Sequence, residues 1–251
     1  MIARATLTAA LALAASLAHA HDFVLAPAIS EGPGVTVTGR FGHPGSWLSI
    51  DPDRLSALDA HPPGAPEAVS ILAAVEPSAL KLVASSGDLD AGPGTWVVAA
   101  TYDNGYWLKL DGGKYHNITK KEAPSGAAVT QSSRELKYSK ALISKGGGQD
   151  GFDRAVGQRL EIVPTAMAAD KVTVRVLFDG EPLSAAKVAG SSMMGGDQGT
   201  STEQTGADGS VEIPLGKPGL QLLRVYHQSP PGDPDLSDKD NFSATLVFAT
   251  E

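Results

Sequence analysis

Val172, Val174, Val176 and Phe178 alternate with Thr173, Arg175 and Leu177. A period of two places the first set on one face of an extended strand; a helix, with its period of 3.6, would scatter them. Asp179-Gly180, a tight-turn pair, closes the run. The same grammar recurs along the chain. Val35-Thr36-Val37-Thr38 follows Gly32-Pro33-Gly34, and Thr95 to Tyr102 follows Ala91-Gly92-Pro93-Gly94. Asp208-Gly209 turns into Val211-Glu212-Ile213, while Leu223, Val225 and His227 share one strand face. Phe242, Ala244, Leu246 and Phe248 share another. Short strands punctuated by glycine and proline turns predict a mainly β protein built from antiparallel, Ig-like β-sandwiches.

One region reads differently. Ser132-Ser133-Arg134-Glu135 has the spacing of a capping box, Leu136, Ala141 and Leu142 recur at helical intervals, and Gly146-Gly147-Gly148 follows. These predict one short helix in a connecting region. Ile71–Val75 and Leu80–Val83 read as further short strands. Leu160-Glu161-Ile162-Val163-Pro164 reads as the last strand before a linker at Thr165–Asp170. The expected organisation is a signal peptide at 1–20, an N-terminal β-sandwich with a helical insertion at 21–164, and a C-terminal β-sandwich at 165–251.

The leader predicts export. Arg4 gives a positive start, Ala5 to Ala18 is apolar but too short to span a bilayer, and Ala18-His19-Ala20 is a small-x-small cleavage signal. Cleavage after Ala20 makes His21 the first residue. Its α-amine and its Nδ1 then form a ready-made chelate for one metal ion; the same nitrogen in the uncut chain is a peptide amide and cannot ligate in that way. The alternative is that cleavage leaves histidine first by accident. No later segment predicts a direct membrane span. The net charge of −8 excludes nucleic acid as a natural partner and is compatible with cations. With no cysteine in the chain, a metal site must come from histidine, carboxylate, backbone or methionine.

Beyond His21, the candidates are His43 and His227, each at the end of an expected strand, where loops build sites. His61 sits in a Pro/Gly loop and reads as surface, and His116 lies in a polar stretch. Asp233, Asp235, Asp238 and Asp240 have the spacing of hard-cation ligands. They lack the glycine and terminal glutamate of a calcium loop and read as a solvated acidic loop. Met193-Met194 is too few thioethers for a copper site and reads as hydrophobic cover. Gly146-Gly147-Gly148-Gln149-Asp150-Gly151 spells G-x-G-x-x-G but opens no helix, which excludes a dinucleotide loop.

Several segments together resemble a known family. They are His21-Asp22-Phe23-Val24-Leu25-Ala26-Pro27, Gly42-His43-Pro44-Gly45, Gly105-Tyr106-Trp107, Leu160 to Pro164, Val176 to Leu183, and Gly219 to His227. They resemble the NikM-like family of exported bacterial proteins, a domain of unknown function associated with periplasmic nickel or cobalt uptake. The C-terminal half also resembles carboxypeptidase-regulatory-like sandwiches. The resemblance implies a periplasmic protein that handles a divalent transition metal and serves a membrane transporter or outer-membrane receptor. It places the family's histidines at His21, His43 and His227. This chain departs from the pattern at Val24, where tryptophan is usual.

The expectation is therefore a periplasmic, non-enzymatic protein that binds nickel, cobalt or copper through His21, His43 and His227 converging on one ion. Two alternatives accompany it: a metal-free structural or carbohydrate-binding sandwich, and a copper-dependent oxidoreductase with a histidine brace.

Overall fold

The structure, a computed structural model of the 251-residue chain, describes residues 21–28, 33–78, 81–87, 89, 92–147, 150–193 and 201–251. The signal peptide and its cleavage signal lie outside the described residues, as do Met194, Leu80, Gly148 and the first residues of two expected turns, Gly32 and Ala91.

The first half of the chain forms β1 (Asp22–Ala28), β2 (Thr36–His43), β3 (Ser46–Leu48), β4 (Leu55–His61), β5 (Val69–Ser70), β6 (Glu76–Ser78), β7 (Lys81–Ser85) and β8 (Gly94–Leu110). Next come β9 (Tyr115–His116) and β10 (Val129–Lys145). The remainder gives β11 (Leu160–Met167), β12 (Lys171–Phe178), β13 (Glu181–Pro182), β14 (Lys187–Ser192), β15 (Ser201–Gln204), β16 (Ser210–Pro214), β17 (Gly219–Ser229) and β18 (Asp240–Thr250). The helical content of the described residues is three single turns, at Pro52–Arg54, Leu72–Ala74 and Lys120–Glu122.

The expected helix at Ser132–Leu142 is corrected to a strand. β10 runs through the whole segment, antiparallel to β8 and parallel to β18. Burial on both faces hid its period: Leu136, Tyr138 and Leu142 face one core and Ala141 the other. With apolar residues on both sides, the contrast that marks a half-exposed strand disappears. The Ser-x-x-Glu spelling is a coincidence here, and the capping box in the structure belongs to Thr119 and Glu122. The strand expected at Ile71–Val75 is likewise a helical turn at Leu72–Ala74.

The central layer is a nine-stranded sheet in the order β15-β14-β17-β18-β10-β8-β4-β5, with β9 beside β8. The parallel β10–β18 pair joins strands from the two halves of the chain into that single sheet. A sheet of β1-β2-β7-β6, with β3 beside β2, packs on one face, and β11-β12-β13 with β16 packs on the other. Two sandwiches thus share one continuous layer. Phe23, Leu25, Val37, Trp96, Val98 and Tyr102 belong to the first core; Ile162, Val174, Val176, Leu223, Phe242 and Leu246 belong to the second. Leu160–Pro164 pairs with β12, so β11 groups with the C-terminal strands, and the expected linker is the end of β11 and its turn into β12.

β1 ties the layers together. Among the described residues it pairs only with β2, and its other edge rests on hydroxyls of the central sheet. Leu25 N donates to Ser139 Oγ at 2.8 Å, and Thr245 Oγ1 lies 2.9 Å from the Phe23 carbonyl and 2.7 Å from Ser139 Oγ. A strand edge buried without such partners would leave backbone groups unpaired at a cost of about 1–3 kcal/mol each. Here serine and threonine replace the missing strand.

Candidate metal centre

The β1–β2 ladder decides what stands at its end. Asp22 pairs with Gly42 and Phe23 with Phe41, so the next step in the same register sets His21 opposite His43. Cross-strand neighbours on one face are in side-chain contact. The two imidazole centroids are 5.4 Å apart at an interplanar angle of 52°, and Phe41 meets His21 edge-on at 5.8 Å. His21 is exposed and His43 half-buried, so the pair forms a partly open mouth over the sheet interface.

Beneath it lies Asp22, fully buried. Tyr226 Oη donates to its Oδ1 at 2.7 Å. Its Oδ2 lies 3.6 Å from Arg224 Nη1 and 3.8 Å from His43 Nδ1. Both separations are too long for hydrogen bonds but close enough for strong attraction in a buried site. Burial pushes the Asp22 carboxyl above its usual range, against the Tyr226 hydrogen bond and the charges of Arg224 and Lys137. Burial, helped by His43 and Lys137, pulls the His21 imidazole below its usual range. That favours the neutral ring, the form able to ligate.

Lys137, on β10, completes the floor. It is 2 % exposed, with Nζ 5.9 Å from the Phe41 ring centre. Burial pulls its ammonium down, opposed by Glu135 and Asp22. The register aligns Tyr102, Lys137, Ser243 and Tyr226 in one row across four strands.

His227 is elsewhere. Its neighbour Tyr226 reaches Asp22, so alternation along β17 turns His227 to the opposite face of the central sheet. There its ring lies 4.3 Å from Phe178 and 6.5 Å from Phe242, and burial pulls its pKa down. The structure therefore brings His21 and His43 together and leaves His227 out; the expected convergence of all three fails on strand alternation. His116 sits on β9 opposite Leu108. His61 is half-buried on β4 rather than a surface loop residue, its pKa lowered by burial and by Arg154. In the acidic loop Asp238 pairs with Lys120 at 2.7 Å and Asp235 with Lys121 at 3.2 Å. The Asp240 carboxylate accepts from Gly232 N. Met193 packs beside Val24, Leu222 and Val247, as hydrophobic cover.

Among the described residues, no group of three or more His, Asp or Glu side chains could hold a metal. The His21–His43 pair supplies two imidazoles, and a chain cut before His21 adds a third nitrogen from the backbone. Two nitrogens about 2.0–2.1 Å from one ion lie at most ~4 Å apart, which rings with centroids 5.4 Å apart reach by side-chain rotation. The Asp22 carboxylate stands 3.8 Å from His43 Nδ1, on the side from which an outer carboxylate would orient a ligating imidazole once the two close to hydrogen-bond distance. The donor set fits a nitrogen-loving divalent ion.

Asp22, Lys137, Arg224 and Tyr226 were not among the candidates read from the sequence. Arg224 and Tyr226 alternate with Leu223 and Val225 and so occupy the other face of that strand, with Leu222, where they read only as its polar side. Lys137 was hidden by the misread helix.

A relative from Haemophilus influenzae, described only as an uncharacterized protein, is 28% identical over 179 residues, 70% of each chain. Two solved structures align at low similarity. The E. coli alpha-2-macroglobulin fragment spanning domains MG0-NIE-MG1 has 11% identity and TM-score 0.24, covering 90% of this chain and 95% of that one. The D0-D1 domain of intimin has 15% identity and TM-score 0.21, covering 91% and 98%. The family model "Domain of unknown function (DUF4198)" matches residues 18–229, and the chain belongs to that family.

Proposed function

We propose that this protein is an exported carrier of a divalent transition metal, nickel, cobalt or copper, acting in the periplasm after cleavage of residues 1–20. The α-amine and ring of His21 and the ring of His43 hold the ion. The observation that carries this reading is the cross-strand pairing of His21 with His43 at 5.4 Å, above a buried carboxylate that faces His43 Nδ1. Three nitrogens leave further positions open, as suits an ion that must be released again. The NikM-like resemblance agrees with this reading and points to a membrane transporter as recipient. The affinity order among these ions favours copper unless geometry intervenes.

The test is calorimetric titration of Ni²⁺, Co²⁺, Cu²⁺ and Zn²⁺ into protein beginning at His21. His43→Ala and a form carrying one extra alanine before His21 are expected to lose most of the binding, and His227→Ala to keep it. Equal affinity in all four proteins would remove the site.

A further inference from the structure

Resting on that metal site, the floor beneath it points to the chemical form of the cargo. Lys137 Nζ has no hydrogen-bond acceptor and no carboxylate within ion-pair distance among the described residues, and it stands 5.9 Å above the Phe41 ring. Beside it in register, the buried Ser243 hydroxyl also has no hydrogen-bond partner. Buried polar groups are almost always satisfied, and exceptions mark a missing water, ion or ligand. The second observation is charge. The metal donors are neutral nitrogens, and the adjacent carboxylate, Asp22, already faces Arg224. A divalent ion at His21 and His43 would therefore add its two charges to those of Lys137 and Arg224, more than the nearby carboxylates of Asp22 and Glu135 balance, in surroundings where like charges repel strongly.

We propose that the site binds its metal together with a small carboxylate, one oxygen on the ion and the other accepting from Lys137 Nζ. A carboxylate, with its two oxygens, reaches further between two cations than chloride does. Metal–oxygen contact, the width of the group and a hydrogen bond to Nζ together reach roughly 6–7 Å. Both ends border one ring: the Phe41 centroid is 5.8 Å from that of His21 and 5.9 Å from Lys137 Nζ. The Ser243 hydroxyl is placed to donate to the same oxygen. The cargo is then a metal carboxylate rather than the bare aqua ion.

The experiment compares Ni²⁺ and Cu²⁺ titrations of protein beginning at His21 in carboxylate-free buffer, and in the same buffer with millimolar acetate or phosphate. Acetate is expected to tighten binding by about tenfold, within the usual range for coupled ligands, and to shift the Cu²⁺ visible band. Lys137→Met should lose both effects, while binding the bare ion at least as tightly because a like charge is gone. Lys137→Arg, which keeps the donor, guards against misfolding of the methionine variant and should retain the acetate effect. Metal binding indifferent to acetate overturns the co-ligand and leaves the metal site standing. Enhancement that survives Lys137→Met, or that phosphate alone produces, also overturns it. Absence of metal binding under every condition removes the site itself, and the co-ligand with it.

Discussion

β10 carries two buried lysines three residues apart, and an odd step along a strand sends them to opposite faces of the central sheet. Lys140 points into the C-terminal sandwich and meets Glu161 at 2.9 Å, both side chains 1 % exposed. Glu161 also accepts from Val156 N at 2.7 Å and Gly157 N at 3.0 Å. Lys137 points toward β1 and meets an aromatic face and, among the described residues, no acceptor. The two have the same residue type, strand and burial, yet only Lys140 is completed by the described residues. A buried charge closed on all sides is structural. One left open next to a pair of histidines is a place where something from outside is expected.

The largest effect should come from opening the closed one. Glu161→Leu leaves two backbone N–H groups without acceptors and a buried ammonium with no counter-charge and only the Arg154 carbonyl, 3.4 Å away, and should cost about 3–5 kcal/mol in urea unfolding. The double variant Lys140→Met/Glu161→Leu should recover part of this but not all, because Val156 and Gly157 stay unsatisfied. A loss below about 1 kcal/mol in the single variant would erase the distinction between the two lysines.

Both lysines escaped the sequence reading for one reason. Their strand is buried on both faces, so it shows no period of two, and its polar residues look like the outer face of a helix. β12 and β18 were legible because each has one face of unbroken apolar residues against a mixed one, and β17 because Leu223 and Val225 alternate with Arg224 and Tyr226. The site was half legible. His21 announces itself at a cleavage signal and His43 at a turn, but their pairing depends on the β1–β2 register. Asp22 becomes part of the site only through Arg224 and Tyr226, contributed by a strand some two hundred residues further along. His227 looked equivalent to His43 until alternation along β17 turned it the other way.

The second prediction reverses the sign of the first. Lys137→Met removes a buried cation that has no hydrogen bond or ion pair among the described residues and fills its place with a side chain of similar length. Stability should be unchanged or higher by about 1 kcal/mol, read as the urea midpoint at constant slope. Destabilisation as large as in Glu161→Leu would mean that Lys137 has a structural partner, and the comparison would fail.

A smaller effect separates the histidines. Folding lowers the pKa of His227, as it does those of His21 and His61. A depressed pKa means that the folded form binds protons less readily than the unfolded chain. Its contribution to stability is therefore full above ~6.5 and is lost as pH falls through the folded value. Melting temperature should decline from pH 7 to pH 5. His227→Phe, packed against Phe178 and Phe242, should flatten part of that decline and leave metal affinity intact. A variant as acid-sensitive as the parent would assign the decline to the other two histidines.

The smallest effect belongs to the charges that look most like a cation site. Asp235 is mostly exposed and pairs with the exposed Lys121 at 3.2 Å. Exposed pairs of this kind hold few side-chain conformations against water and salt, so Asp235→Asn should give no resolvable change in unfolding midpoint. The same variant tests the rule drawn from β10. Carboxylates that already face lysines, as Asp235 and Asp238 do, have less attraction left for an added ion. Nickel or copper affinity should therefore match that of the parent protein. A clear drop would mean that partners within the chain do not disqualify a group from serving a ligand, and the contrast between Lys137 and Lys140 would lose its force.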